Sequence, residues 1–251
     1  DITYKHDISF KCGDLTFNLH HARGETDDHT WIHVPEEKLI APGDLFIWAV
    51  PNGGNPQKVQ RYISDWADAL DEMLKLDCEI FLPGHGFPIL GKKRIKKALE
   101  TTSKFLRSIE DQTIKLMNQG KSLNQVLHEV KIPNDLMELP WLTPIYDDPQ
   151  FLIRMVWRRY GGWWDGEYDR LLPAPRKDEA LAWVELSNGI DNIILKALEH
   201  LDKGNFKVAA QLIETAFHAD NDNDQMHHAR AKIYREFSLK QSSSMGRNIL
   251  N

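Results

Sequence analysis

The chain of 251 residues carries 31 basic and 37 acidic side chains, a formal net charge of −6, and is 41% hydrophobic, 27% charged and 10% aromatic. This is a globular composition that excludes a disordered or collagen-like chain, and its acidic balance argues against binding nucleic acid by neutralising phosphates. No stretch holds the roughly 18 apolar residues of a membrane span, and Cys12 and Cys78 alone make neither a disulfide framework nor a zinc knuckle.

From the N-terminus the pattern is strand-like and turn-rich. Ile8-Ser9-Phe10 and Leu15-Thr16-Phe17-Asn18-Leu19 alternate around Gly13-Asp14, which predicts a hairpin with one face buried. Trp31-Ile32-His33-Val34 is a third run, stopped by Pro35. Leu39-Ile40 to Leu45-Phe46 is a fourth, expected to be interrupted at Pro42-Gly43. An amphipathic stripe of Val59, Tyr62, Ile63, Trp66, Leu70, Met73 and Leu74 predicts a helix over about 56–76. Glu79-Ile80-Phe81-Leu82 then reads as a short buried strand that ends in a tight turn, Pro83-Gly84-His85-Gly86. Strands followed by a helix and a further strand predict a layered α/β arrangement.

Beyond Lys92 the signal is helical. Ile95, Leu99, Phe105, Leu106, Ile109, Leu116 and Met117 form a stripe that stops at Gly120, and Ser122 to Gln125 is a capping-box signature. Asp148-Pro149 predicts an N-cap and first helical residue for a helix to Tyr160, closed by Gly161-Gly162. From Pro173 onward the pattern predicts an antiparallel helical array, with helices over 193–201, 206–219 and near 224–237. Its segment 197–212 resembles a single tetratricopeptide-type unit, and Ala209, Ala210, Ala216 and Ala219 suit close helix packing.

Three short motifs concentrate oxygen and imidazole donors at the ends of strands: Gly24-Glu25-Thr26-Asp27-Asp28-His29, Gly43-Asp44-Leu45-Phe46 and Pro83-Gly84-His85-Gly86. Carboxylates and an imidazole delivered from separate strand ends are what a zinc or other first-row metal site requires. Taken singly, each is also an ordinary turn or a solvated charge cluster. The adjacent pairs His20-His21 and His227-His228 point apart, and His29 and His33 on one strand stand roughly 13 Å apart, so none of them reads as a chelating pair.

In this order and spacing the three motifs resemble the C-terminal half of a metallo-β-lactamase-fold hydrolase. Glutamate at position 25, where that superfamily usually has histidine, is similar to its alkyl sulfatase branch. Arg159-Tyr160-Gly161-Gly162-Trp163-Trp164-Asp165-Gly166 with Leu171-Leu172-Pro173 resembles the segment that opens the alkyl sulfatase dimerisation domain, and 51–62 resembles that family's substrate-side loop.

The resemblance implies part of a metallo-β-lactamase αββα sandwich over 1–110, a helical connection over 111–172 and an all-α dimerisation domain over 173–251. It implies Glu25, Asp44 and His85 as metal ligands, with Asp44 bridging two zinc ions that hold a hydroxide for cleavage of a sulfate ester. It further implies Tyr160 beside the sulfate or its leaving oxygen, Asn52 and Arg61 in substrate binding, a small-molecule ester as substrate and a homodimer.

The superfamily's His-x-His-x-Asp-His ligand motif is absent from these residues, as is the sterol-carrier-like domain of the family, and the alkyl sulfatases often carry glutamate at position 44. The opening on Asp1 reads as a chain cut from something longer, so the missing ligands and any targeting signal are expected upstream. Two other readings stay open: a non-catalytic dimerisation or scaffold module with an incomplete metal site, and a metallo-hydrolase of another ester, such as a phosphodiester or thioester.

Overall fold

The computed structural model describes residues 2–251, and the chain divides into two units, Asp1–Glu167 and Tyr168–Asn251. The first is α/β and the second all-α, as the sequence leads one to expect.

In the first unit six strands form one sheet in sequential order. β1 (Asp7–Cys12) and β2 (Leu15–Ala22) make the expected hairpin, with Cys12 opposite Leu15 across Gly13-Asp14. β3 (His29–Val34) and β4 (Leu39–Ile47) continue the antiparallel meander. β5 (Ile80–His85) then lies parallel to β4, and β6 (Ile89–Leu90) closes the sheet antiparallel to β5.

Three sequence expectations need correction here. β4 is not interrupted at Pro42-Gly43: its ladder to β3 ends at Ala41, so Pro42 stands where no N–H is needed, and the strand continues beside β5 with a shifted register at Gly43. The helix expected over 56–76 is shorter, α1 (Ile63–Met73). Residues 56–62 are loop, Val59 is 73% exposed, and Gln60 and Arg61 turn their side chains to tertiary hydrogen bonds. Pro83-Gly84-His85 is not a turn but the end of β5, and the bend comes at Gly86 with φ +97°.

α1 and the long α2 (Lys92–Asn118) share a core with the sheet, built on Trp66, Leu70 and Met73 from α1, Leu99, Phe105 and Leu106 from α2, and Ile40, Phe46 and Phe81 from the strands. α3 (Leu123–Glu129) opens with both halves of the expected capping box, Ser122 and Gln125. After the short α4 (Asn134–Met137), α5 (Pro149–Gly161) has Asp148 as its N-cap, accepting from the Gln150 N–H at 2.8 Å. The Tyr-Gly-Gly-Trp-Trp-Asp-Gly segment folds back on α3 and α5: the Trp157 indole N–H donates to the Trp164 carbonyl at 2.8 Å, and the Leu123 N–H to the Asp165 carbonyl at 2.8 Å.

The second unit consists of α6 (Arg176–Leu186), α7 (Ile190–Asp202), α8 (Phe206–Ala219), α9 (Asp224–Leu239) and α10 (Ser244–Leu250). Its core joins Ile193, Ile194 and Leu201 of α7 to Ile213 of α8 and Ile233 of α9. Ala209, Ala210 and Ala216 let these helices approach closely. Among the described residues no helix is long and apolar enough to cross a membrane.

Candidate functional site

The site is built at the ends of the one parallel strand pair in the sheet. Parallel pairing of β4 with β5 sets Gly43 opposite Pro83 and Ile47 opposite His85, which brings Asp44 Oδ1 to 3.5 Å from His85 Nε2. Gly84 makes this approach feasible: a Cβ there would lie 2.2 Å from Asp44 Oδ1 and 2.7 Å from the Gly43 carbonyl carbon. Gly84 is therefore required for close packing.

Glu25 enters from the loop between β2 and β3, and Asn52 and Arg61 from the loop after β4. The Asn52 side-chain amide donates to Glu25 Oε1 at 2.5 Å. Arg61, only 4% exposed, lies 3.2 Å from the same oxygen and donates to the Asn52 carbonyl. Burial pushes the Glu25 carboxyl above the usual range; the Arg61 charge opposes that, and Asp44 alongside adds to it. Asn52 is 6% exposed, and its Oδ1 is buried without a hydrogen-bond partner.

Glu25, Asp44, Asn52 and His85 line one cavity of about 470 Å³, whose remaining wall includes Ile47, Trp48, Ile145 and Tyr146. Arg61 sits behind it on Glu25 and Asn52. Tyr160 is not among the lining residues; it is half exposed and its hydroxyl donates to Glu110 Oε1 at 2.8 Å. The wall residues Trp48, Ile145 and Tyr146 carry no motif and escape a reading of the sequence. So does Asp147, fully buried, whose Oδ2 accepts the Gly54 N–H at 3.0 Å. The Asp147-Asp148-Pro149 run is the one signal for it, since only one of two adjacent carboxylates is needed to cap α5.

Of the histidines set aside as non-chelating, three are engaged elsewhere: His20 with Asp7 at 2.7 Å, His21 with the Asp27 carbonyl and His29 with the Pro42 carbonyl. Two carboxylates and an imidazole on one cavity suit a divalent first-row metal by donor chemistry. Among the described residues, however, no three His, Cys, Asp or Glu side chains are gathered closely enough to hold a metal ion by themselves. The donor types fit a metal; their number and convergence require further ligands.

Comparison with known proteins bears on the fold and the family. The chain is 23% identical over 249 residues to a linear primary-alkylsulfatase of Pseudomonas sp., covering 98% of this chain and 47% of that protein. It is 27% identical over 171 residues to an alkyl/aryl-sulfatase of Saccharomyces cerevisiae, covering 68% of this chain and 26% of that protein. The solved structure of the stereoselective inverting sec-alkylsulfatase Pisa1 from Pseudomonas sp. superposes with a TM-score of 0.92 at 22% identity, over 99% of this chain and 40% of that one. The fold is thus that of an alkylsulfatase, and the chain spans no more than about half the length of the relatives it matches. The alkyl sulfatase dimerisation model matches residues 122–251, just over half of the sequence, including the Tyr-Gly-Gly-Trp-Trp-Asp-Gly segment and all of the helical unit. By that match the chain belongs to the alkyl sulfatase dimerisation family.

Proposed function

We propose that this chain carries part of the active site of a metal-dependent hydrolase that cleaves a sulfate ester, and that its helical unit forms a homodimer. The observation that supports this most is the shared cavity, which Glu25, Asp44, His85 and Asn52 line together with the apolar side chains of Ile47, Trp48 and Ile145. Metal-ligating donors and apolar side chains lining one cavity suit an ester with an anionic head and an organic tail.

In this reading Glu25, Asp44 and His85 would hold divalent metal, zinc by the family resemblance, together with ligands from outside these 251 residues. Metal bound there supplies an acidified water and positive charge against the anionic head. Water adds across the ester to give the alcohol and hydrogen sulfate, so atoms and charge balance. Asn52 stands where its amide can orient the head group. Arg61, held against Glu25 and the Asn52 backbone carbonyl, fixes the Glu25 side chain and the Asn52 backbone and offsets the local negative charge. Tyr160, turned toward Glu110, has no part in this scheme. A phosphodiester or thioester with a hydrocarbon tail would meet the same apolar wall, so the choice of a sulfate ester rests on the family match.

A second reading has its own observation. Because no three metal-ligating side chains converge among the described residues, the chain by itself is equally a dimerisation and scaffold module. One experiment separates the two: elemental analysis and sulfate release from an alkyl sulfate, measured on this chain and on the protein with any sequence encoded upstream. Two metal equivalents and sulfate release, both lost in Asp44→Asn and His85→Ala, establish the hydrolase. Absence of metal and of sulfate release in both proteins leaves the scaffold.

A further inference from the structure

The proposed site leaves Asp147 unexplained. It is fully buried, Oδ2 accepts the Gly54 N–H at 3.0 Å, and Oδ1 has no hydrogen-bond partner. It is not the helix cap, because Asp148 performs that task. A buried carboxylate with an unpartnered oxygen is costly, so its presence calls for a compensating role.

Its position supplies one. Gly54 lies in the loop that carries Asn52, and that loop is pressed against the first turn of α5: a Cβ at Gly54 would meet the Phe151 carbonyl carbon at 2.2 Å and the Leu152 nitrogen at 2.4 Å. The segment just before α5 holds the loop at two points, Val50 N–H on the Thr143 carbonyl at 3.0 Å and Gly54 N–H on Asp147. Asn52 lies between those two ties, and the Asp147 charge attracts Arg61, which donates to the Asn52 carbonyl. Two ties to backbone N–H groups and one guanidinium thus hold the stretch of chain from which the Asn52 amide reaches Glu25.

We propose that Asp147 is a positioning residue that clamps the 50–55 loop so that the Asn52 amide is presented to the cavity. The clamp deepens the sulfate-ester reading and rests on it for its catalytic meaning, while its structural half can be tested alone.

The test joins nitrogen-edited NMR of the chain with kinetics of the complete enzyme on an alkyl sulfate. In Asp147→Ala the Gly54 amide and Asn52 side-chain amide signals should shift or broaden, while those of α2 stay in place. Asp147→Asn, which keeps an acceptor for Gly54, should restore them. Should Asp147→Ala fail to fold, Asp147→Ser, too short to reach Gly54, carries the same expectation. In kinetics Asp147→Ala should raise KM about tenfold with kcat changed less than threefold, and the Asn52→Ala/Asp147→Ala double variant should be no worse than Asn52→Ala. An unmoved Asn52 signal, or effects that multiply in the double variant, overturns the clamp. A wild-type enzyme without hydrolysis, combined with a shifted Asn52 signal, sinks the sulfate-ester reading and upholds the clamp.

Discussion

The Trp66 indole N–H donates to the carbonyl oxygen of Leu45 at 2.7 Å, tying the middle of α1 to the residue that follows Asp44. Both residues are fully buried. Trp66→Phe removes this bond and leaves a buried carbonyl short of a donor, so it should lower stability by about 1–3 kcal/mol. Trp66→Ala adds a cavity, for about 3–5 kcal/mol. Urea unfolding at neutral pH reads both, and a loss below about 0.5 kcal/mol for either would show that the tie is unimportant.

Gly84→Ala tests the crossing of the two strand ends. The new methyl would collide with Asp44 Oδ1 and the Gly43 backbone, neither of them the end of a long flexible side chain. Overpacking of this kind costs roughly 1–3 kcal/mol. The variant should unfold at lower denaturant, and its His85 ring signals should move in NMR; unchanged His85 signals would refute the proposed crowding.

Arg61→Leu removes the counter-charge of half-buried Glu25 and the donor to the Asn52 carbonyl. Breaking such a buried pair from one side costs about 3–5 kcal/mol. Because Glu25 keeps the Asn52 amide and some solvent access, a loss near the lower end is expected. Glu25→Gln in the same background should recover part of the loss, since no unpaired charge then remains. Denaturation of the two single variants and the double variant checks this, and the prediction fails if the double variant is the least stable of the three.

Two carboxylates should give stability profiles of opposite slope. Burial, opposed by the Gly54 and Asp148 N–H groups and by Arg61, pushes Asp147 up from 3.8 to about 6. The folded state therefore holds its proton more tightly than the unfolded chain, and stability falls as pH rises from about 4 to about 6, by up to about 3 kcal/mol. Relative to wild type, Asp147→Asn should gain stability across that window and show a flatter profile. Asp65 is lowered instead: burial would raise it, but hydrogen bonds and charge from Arg159 and Arg23 outweigh that. Its contribution is present above about pH 4 and is lost as pH falls through its depressed folded value. Asp65→Asn should therefore cost about 1 kcal/mol at pH 7 and less than that at about pH 3, below the unfolded-state value. Equal costs at both pH values would remove the ion pairs as the cause.

Local chemistry made several features readable in the sequence. Ser122 with Gln125 and Asp148 with Pro149 announce helix starts because each satisfies N–H groups of its own neighbourhood. Gly13-Asp14 announces its hairpin because Gly13 readily takes the positive φ, here +61°, that the tight turn uses. What stayed hidden depends on partners distant in sequence. Pro42 reads as a break until the end of the β3 ladder is located, and Gly84 reads as a turn glycine until Asp44 is seen crossing it. At the site, Glu25, Asp44, Asn52 and His85 were legible through their motifs and share one cavity. The apolar wall was not, since Ile145 and Tyr146 have no pattern of their own and reach their places through the fold of the 143–148 segment, and Asp147 shows only as the second carboxylate of the Asp147-Asp148-Pro149 run.

The parallel pairing of β4 with β5 also bears on how such a site can diversify. Asp44 and His85 sit on neighbouring strands locked by a backbone ladder and a glycine crossing, so a substitution around them disturbs the sheet. Glu25 and Asn52 hang from loops. Lineages descending from this architecture, or libraries built on it, would therefore gain new specificities by exchanging the loops around 23–28 and 50–61, while the two strand ends persist as the inherited frame.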